Sequence, residues 1–585
     1  MWTLALKRTT CLFFSDRGVI FLTYLVIFYC ISLLPAQALP PPTDPKGTFG
    51  QPPPITEESV PDNQGPSPRF LLPRPQEREV PTEKRPVVRV FVREIHVIGS
   101  TVFSKEQLRQ ITDPFVGKTL TTEDLETIRR ALTLLYKNAG FVNSGAIVPD
   151  QTVKNGVITI QIIEGSLEDI KIEGTQHFFP FYLKDRLFLK AGPPLKLTPL
   201  QEQLQLFLQD SRFERINAEL KAGLRPGQAI LHLQVQEASP YKAWIEINNF
   251  QSPTVGAERG LATVAHQNLF GIGDSLRFTY GQSKGVGPLI DTSYSIPLSP
   301  QDTLLILQYR QNNFEVIEDP FDALNIESET EIFSFTLRQP IFRTPRQEFA
   351  LSITGEYLQN RGTLLGIPFS FTPGSTANGV STISVIRLGQ EWTHRQPNQV
   401  LSARSRMSFG IDVLQATNNN LANTPDTQFF SWIGQVQGAR RFPSVFNGQL
   451  IGRMDLQLSN DPLFPLEQYA LGGRYTVRGY RENQIVRDNA FLFSIESRIP
   501  AYQSPSGNQL LEVASFLDVG KGWNTDRDSP IDFNTLASVG LGLRGFIFER
   551  FQFQLYWGVP LNHITTPGGN LQDHGIHAGV VANLF

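Results

Sequence analysis

From residue 241 onward, apolar and polar side chains alternate over segments of about ten residues separated by turn residues. Phe333, Phe335 and Leu337 alternate with Ser334, Thr336 and Arg338, and Leu351, Ile353 and Tyr357 with Ser352, Thr354 and Glu356. Near the end, Phe551, Phe553, Leu555 and Trp557 alternate with Gln552, Gln554 and Tyr556. Successive side chains of a strand point to opposite faces, so each segment predicts a strand with one greasy and one polar side. Turns fall at Gly271-Ile272-Gly273-Asp274, Ser299-Pro300-Gln301-Asp302, Thr344-Pro345-Arg346 and Pro397-Asn398-Gln399. The pattern predicts strands starting near Lys242, Arg259, Ser275, Leu289, Thr303, Thr330, Glu348, Thr382, Val400, Gln428, Asn447, Asn489, Leu510, Thr535, Phe551 and Gly575. These sixteen give the even number that a single-chain bacterial barrel requires. A soluble sandwich or propeller would have to bury the same aromatics between sheets, and no blade-length repeat follows Tyr241.

Upstream the period changes. An offset of 75 residues superimposes Gly99 on Gly174, Gly117 on Gly192, Leu120 on Leu195 and Leu125 on Leu200, which predicts two copies of one small α+β domain, residues 87–165 and 166–239. Each copy opens on a strand, residues 93–98 and 169–172, and closes on an alternating one, residues 157–163 and 229–235. In the first copy Thr121 is the expected helix N-cap with Asp124 at N3, ahead of a stripe of Leu125, Ile128, Leu132 and Leu135. In the second, Thr198 is expected to cap, with Pro199 at N1, Gln201 at N3 and Leu200, Leu204 and Phe207 following. The β-α-α-β-β order resembles a POTRA domain, the periplasmic module of outer-membrane transporters and assembly factors.

The first 38 residues read as a secretory signal: Lys7 and Arg8 precede an apolar core over residues 19–34, which ends at Ala36-Gln37-Ala38. That core is shorter than the ~20 residues of a spanning helix, which disfavours a membrane anchor. Residues 39–86, with Pro40-Pro41-Pro42 and Pro52-Pro53-Pro54, read as an extended linker. Beyond the signal no apolar run reaches helical spanning length, so membrane residence requires a closed barrel, in which every backbone group is paired.

Composition removes whole classes of chemistry. Both cysteines, Cys11 and Cys30, lie in the signal segment, which leaves the expected mature chain without thiol chemistry. A net charge of -3 gives no basic excess for nucleic acid. The eight histidines fall in no metal-binding spacing, and neither a nucleophile elbow nor a phosphate-cradling glycine loop is present. The expectation is a non-enzyme without metal or cofactor.

One loop and one strand carry the sharpest signal. Val477-Arg478-Gly479-Tyr480 lies within residues 466–488, which join two predicted strands. In Phe516-Leu517-Asp518-Val519-Gly520, Leu517 and Val519 face lipid, so Phe516, Asp518 and Gly520 face the lumen. An inward carboxylate can hold an arginine carried in by a long loop through paired, charge-assisted hydrogen bonds. The chain ends on Phe585, an aromatic expected on the last strand.

Two POTRA-like repeats, sixteen strands, a VRGY loop before the twelfth strand, F-x-D-x-G on the thirteenth and a terminal Phe together resemble the haemolysin and haemagglutinin secretion/activation family, the transporters of two-partner secretion. The resemblance spans residues 87–585. It implies an outer-membrane pore over residues 240–585 and one exported client, a large β-helical adhesin or cytolysin, captured unfolded by periplasmic POTRA domains. It also implies that Arg478 and Asp518 keep the loop folded into the pore, and that Phe585 resembles the signal by which the barrel assembly machinery recognises its substrates. Family members often carry a barrel-plugging N-terminal helix, for which residues 39–86 hold too many prolines. An insertase of other barrels is the alternative in the same superfamily, although insertases usually carry more POTRA units; a passive porin would leave both repeats without a purpose.

Overall fold

The computed structural model describes residues 70–71 and 89–585 apart from 373, 420, 422, 443–446, 504–508, 526–533, 548–549, 565 and 567. The expected signal segment and all of the expected linker except Phe70–Leu71 lie outside the described residues. The described chain forms two compact units, one carrying the repeats and one beginning at Tyr241.

In the repeat-bearing unit, β1 is Phe70–Leu71, followed by β2 (Val90–Val92), β3 (Glu94–Ile98), α1 (Lys105–Thr112), β4 (Lys118–Leu120), α2 (Thr122–Asn138), β5 (Gly145–Ile147) and β6 (Val157–Ile163). The second repeat runs β7 (Ser166–Glu173), α3 (Pro180–Ala191), α4 (Leu197–Leu208), β8 (Phe213–Ala222) and β9 (Gln228–Glu237). In both repeats the first strand lies parallel to the last, β3 to β6 and β7 to β9. One of the two superimposed glycine pairs has a single job in both repeats. Gly99 and Gly174 follow these first strands at φ of 83° and 89°, where a Cβ would strike the carbonyl oxygen of Ile162 or Val235 on the paired strand.

The α2 helix starts as its pattern predicts: the Thr121 side chain accepts from Asp124 N, and the Asp124 carboxylate accepts from Thr121 N at 2.7 Å. The stripe buries Ile128 and Leu132 in the first core, with Leu125 and Leu135 packed at its edge. The second helix differs from expectation. The α4 helix begins at Leu197 with Lys196 as N-cap, so Thr198 caps nothing and Pro199 falls at N3 rather than N1. The first repeat supplies the missing partner, because Leu197 N donates to Gly140 O at 3.0 Å and Leu195 N to Gly165 O at 2.7 Å. Two further elements were not expected, the β2–β4 pair and β1, which pairs in parallel with β8.

Glu164 ties the first repeat together, accepting from Thr101 N at 2.7 Å, Thr101 Oγ1 at 2.5 Å, Val102 N at 3.1 Å and Tyr136 Oη at 2.8 Å. Burial opposes its charge, but these hydrogen bonds outweigh burial and hold the carboxyl below its ordinary 4.5. For Tyr136, burial first and the carboxylate second push the phenol up to about 12. A depressed carboxyl contributes stability that is present above its unfolded pKa and lost as pH falls through the folded one. We therefore expect the first repeat to loosen below about pH 4.5. Glu164→Gln should remove ~1 kcal/mol at neutral pH and flatten that acid limb, as read by hydrogen exchange of β6 amides.

The second unit is a barrel. Its first eight strands are β10 (Tyr241–Asn248), β11 (Arg259–Gln267), β12 (Ser275–Ser283), β13 (Val286–Pro297), β14 (Leu304–Glu315), β15 (Ile326–Arg343), β16 (Gln347–Leu364) and, after the small β17 (Ile367–Pro368), β18 (Val380–Gln396). There follow β19 (Gln399–Ile411), β20 (Phe430–Phe442) and β21 (Gly448–Ser459), then the short β22 (Tyr469–Leu471) and β23 (Ile485–Arg487) inside a loop. The wall is completed by β24 (Asn489–Gln503), β25 (Gln509–Trp523), β26 (Thr535–Ile547), β27 (Phe551–Pro560) and β28 (Ile576–Asn583). Sixteen antiparallel strands close on themselves through β10 and β28, and each starts within four residues of its expected position. No helix among the described residues is long and apolar enough to cross a membrane.

The two faces follow the alternation. Phe333, Phe335, Leu351, Ile353, Phe551, Leu555 and Trp557 are exposed on the outer wall, while Asp291, Arg387, Gln435, Asp455, Glu496 and Asp518 are buried inside. A closed ladder with an apolar exterior is the arrangement lipid tolerates. Strand parity sorts the connections: residues 249–258, 316–325, 460–488 and 561–575 share one end, opposite the end at which Tyr241 enters.

Candidate functional site

The connection between β21 and β24 does not stay outside. Its β22–β23 hairpin packs Tyr469, Leu471, Val477, Tyr480 and Ile485 into one cluster with Ile433, Ala490, Leu492 and Leu536 of the inner wall. Burying this apolar set is what fills the lumen with loop.

At the tip, Arg478 meets Asp518 as the sequence places them. Nε donates to Oδ2 at 2.8 Å and Nη2 to Oδ1 at 2.8 Å, while the backbone N of Arg478 also reaches Oδ2 at 3.1 Å. The Arg478 side chain is 4% exposed and Asp518 0%, so the pair is dry, in contrast to the water-filled lumen expected of a pore. Phe516 lies flat beneath the cation, 3.7 Å from ring centroid to Cζ.

The other motif members act by shape. Gly479 has φ +91°, and a Cβ there would stand 2.9 Å from the Gly558 backbone on β27. A Cβ on Gly520 would stand 2.8 Å from Val477 Cγ2 and 2.9 Å from Leu471 Cδ2, so its missing side chain is the seat of Val477. Tyr480 Oη lies 2.9 Å from each of the carbonyl oxygens of Ala537 and Asn562. Phe585 stands apart from this site: β28 ends at Asn583, two residues earlier than expected for a strand-borne terminus, with Asn583 N donating to Arg550 O at 2.9 Å beside the start of β27. Ladder-like bonds to β10 persist even so, from Ala243 N to Phe585 O at 3.2 Å and from Leu584 N to Ala243 O at 2.9 Å.

Sequence reasoning missed three partners. Glu496 on β24 takes a second, very short contact from Arg478 Nη1, and it accepts from Arg498 Nε at 2.5 Å and Tyr556 Oη at 2.9 Å. Ser494 Oγ donates to Asp518 Oδ1 at 2.6 Å. The alternation Phe493, Ser494, Ile495, Glu496 already places both polar residues inside, which is the signal that could have found them. The third partner is another stretch of the wall. Arg387 on β18 binds Glu356 on β16 at 2.8 Å and Glu467 of the loop stem at 2.7 Å, and Tyr469 Oη donates to Asp455 at 2.7 Å. The loop thus bridges the lumen from β18 to β25. Among the described residues no cluster of His, Asp or Glu is placed to hold a metal.

Residues 227–545 match the family described as haemolysin secretion/activation protein ShlB/FhaC/HecB, and residues 90–165 match the ShlB-type POTRA domain. The chain is 23% identical over 477 residues to the outer membrane transporter CdiB of Dickeya dadantii (strain 3937), covering 78% of this chain and 79% of that one. Its fold is similar to CdiB from Escherichia coli, with a TM-score of 0.64 at 20% identity over 87% of this chain and 92% of that one. BamA from Haemophilus ducreyi lacking POTRA domains 1–3 is similar at a TM-score of 0.52 and 14% identity, over 84% and 100%. Fold and loop together define an outer-membrane β-barrel transporter with its POTRA region in the periplasm. The chain belongs to the haemolysin secretion/activation family, whose members are transporters of two-partner secretion, and its cargo is a secreted partner protein. The insertase alternative gives way to the family match, since likeness to BamA at this identity is one of fold.

Proposed function

We propose that the two repeats, residues 87–165 and 166–239, capture the unfolded partner and feed it to the barrel of residues 240–585, whose loop of residues 460–488 must yield for it to pass. The observation that carries this reading is the loop itself, seated across the lumen and fastened by Arg478 to Asp518. In the same reading Val477, Gly479 and Tyr480 with Phe516 and Gly520 form the seat, the partner is a large β-helical adhesin or cytolysin, and Phe585 is presented to the barrel assembly machinery before the barrel meets outer-membrane lipid. Capture and insertion then reside in separate units. The first repeat has its own buried core, so the barrel does not need it to close.

The test is a deletion of residues 90–165. The truncated chain should still give a barrel that resists SDS until heated, because its strands close without an edge. Secretion of a co-expressed β-helical partner should be lost. Secretion at the full-length level would refute capture by the first repeat.

A further inference from the structure

The two residues after the VRGY motif turn away from β25 and meet other loops. Arg481 binds Asp573 through Nε and through Nη2 at 2.9 Å, and its Nη1 holds both carboxylate oxygens of Glu318 at 2.8 and 3.1 Å. Asp573 lies in residues 561–575 and Glu318 in residues 316–325, both at the end of the barrel away from the entry of Tyr241. Residues 249–258 join them: Ile317 N donates to Thr254 O at 2.9 Å, and Thr254 Oγ1 to Glu318 Oε2 at 3.3 Å. Glu482 N donates to Gln572 Oε1 at 2.9 Å, while Gln572 Nε2 donates to the carbonyls of Asn249 at 2.5 Å and Gln251 at 2.7 Å. Four connections converge on Arg481 and Glu482.

We propose that Arg481 is an outer latch, a positioning residue that shuts the extracellular mouth by joining the lumen loop to two other loops, separately from the Arg478–Asp518 pair. The inference rests on the reading that this loop closes the export path. A planar guanidinium, with five donors in a fixed fork, can serve two carboxylates from different loops at once, and holds each more directionally than an ammonium would. Each acid also has partners that survive without it. Asp573 accepts from Gly569 N at 2.9 Å and Asn570 Nδ2 at 2.8 Å, and Glu318 keeps Thr254. Loss of Arg481 therefore leaves the loops folded but drawn apart, because two carboxylates that shared one cation now repel each other. The Arg478 seat lies on β24 and β25, and none of its bonds passes through Arg481.

Full-length protein in planar bilayers, with potassium and chloride as the probe ions, provides the test. Arg481→Gln should raise the fraction of time spent in the open state about tenfold. On intact cells it should also speed added-protease cleavage within residues 316–325 and 561–575, with an unchanged heat-shifted band. Arg481→Lys should give an intermediate value, and it carries the test should the glutamine variant fail to reach the membrane. Adding Glu318→Gln and Asp573→Asn to Arg481→Gln should bring the open fraction back toward wild type by removing the repulsion. The latch is overturned if Arg481→Gln and Arg481→Lys keep wild-type open fractions and cleavage rates while Arg478→Ala raises the open fraction. If Arg478→Ala is silent as well, the reading of the loop as a closure falls with it.

Discussion

Asp518→Ala is expected to abolish secretion of the partner while leaving a barrel that assembles and shifts on heating. The wall does not need the residue, since β25 is held by its ladders to β24 and β26. The loop does. With Asp518 gone, the Arg478 guanidinium remains beside Glu496, but its paired Nε and Nη2 bonds and the bond to its own backbone N are lost together. Breaking a buried ion pair by removing one partner costs about 3–5 kcal/mol, several times what a wet surface pair contributes. Arg478→Ala should fall slightly short of this. It leaves Asp518 with the Ser494 hydroxyl, while Glu496 keeps Arg498 and Tyr556. Asp518→Asn, which keeps shape and one acceptor, should be intermediate. The double mutant Arg478→Ala with Asp518→Ala should be little worse than either single change, a coupling of about 3 kcal/mol, close to the cost of the smaller single change. Fully additive secretion defects would show that the two residues act through separate contacts and would remove the lock.

What the sequence made legible follows from solvent. Lipid outside and polar groups inside force a period of two on every spanning strand, so each start could be placed within a few residues and Asp518 assigned to the lumen by parity from Leu517 and Val519. The glycine pairs of the repeats were legible for a similar reason: Gly99 and Gly174 mark one backbone crossing built twice. What was not legible depends on closure. That Glu496 meets the loop tip follows from which inward positions the curved wall brings together, and no local pattern encodes strand stagger. The β22 and β23 strands are three residues each, too short for periodicity to show. The start of α4 was misplaced because its first amide is bound by Gly140 of the neighbouring repeat, a contact that overrides the capping preference of Thr198. The dryness of the ion pair is not legible for a related reason, since it depends on the hairpin's own apolar side chains packing against the inner wall beside it.

Gly558→Ala should reproduce most of the secretion defect of Arg478→Ala, although position 558 lies 80 residues from the motif in sequence. Gly558 sits on β27 with ordinary strand geometry, where alanine by itself is tolerated. Its side is the problem: a Cβ would stand 2.6 Å from Gly479 N and 2.7 Å from Gly479 Cα, against backbone that cannot rotate aside. The loop must therefore lift, and lifting it draws Arg478 and Tyr480, on either side of Gly479, out of their bonds to Asp518 and to the Ala537 and Asn562 carbonyls. Gly479→Ala should be at least as severe, because it adds a left-handed strain of ~1–2 kcal/mol to the same collision. The measurement is secretion alongside protease protection of residues 460–488 on intact cells, with the heat-modifiable band as the control for assembly. Combining Gly558→Ala with Arg478→Ala should add little, since both release one docked loop. A Gly558→Ala protein that secretes normally and protects its loop as wild type does would mean that the close approach of β27 to Gly479 is not what holds the motif in place.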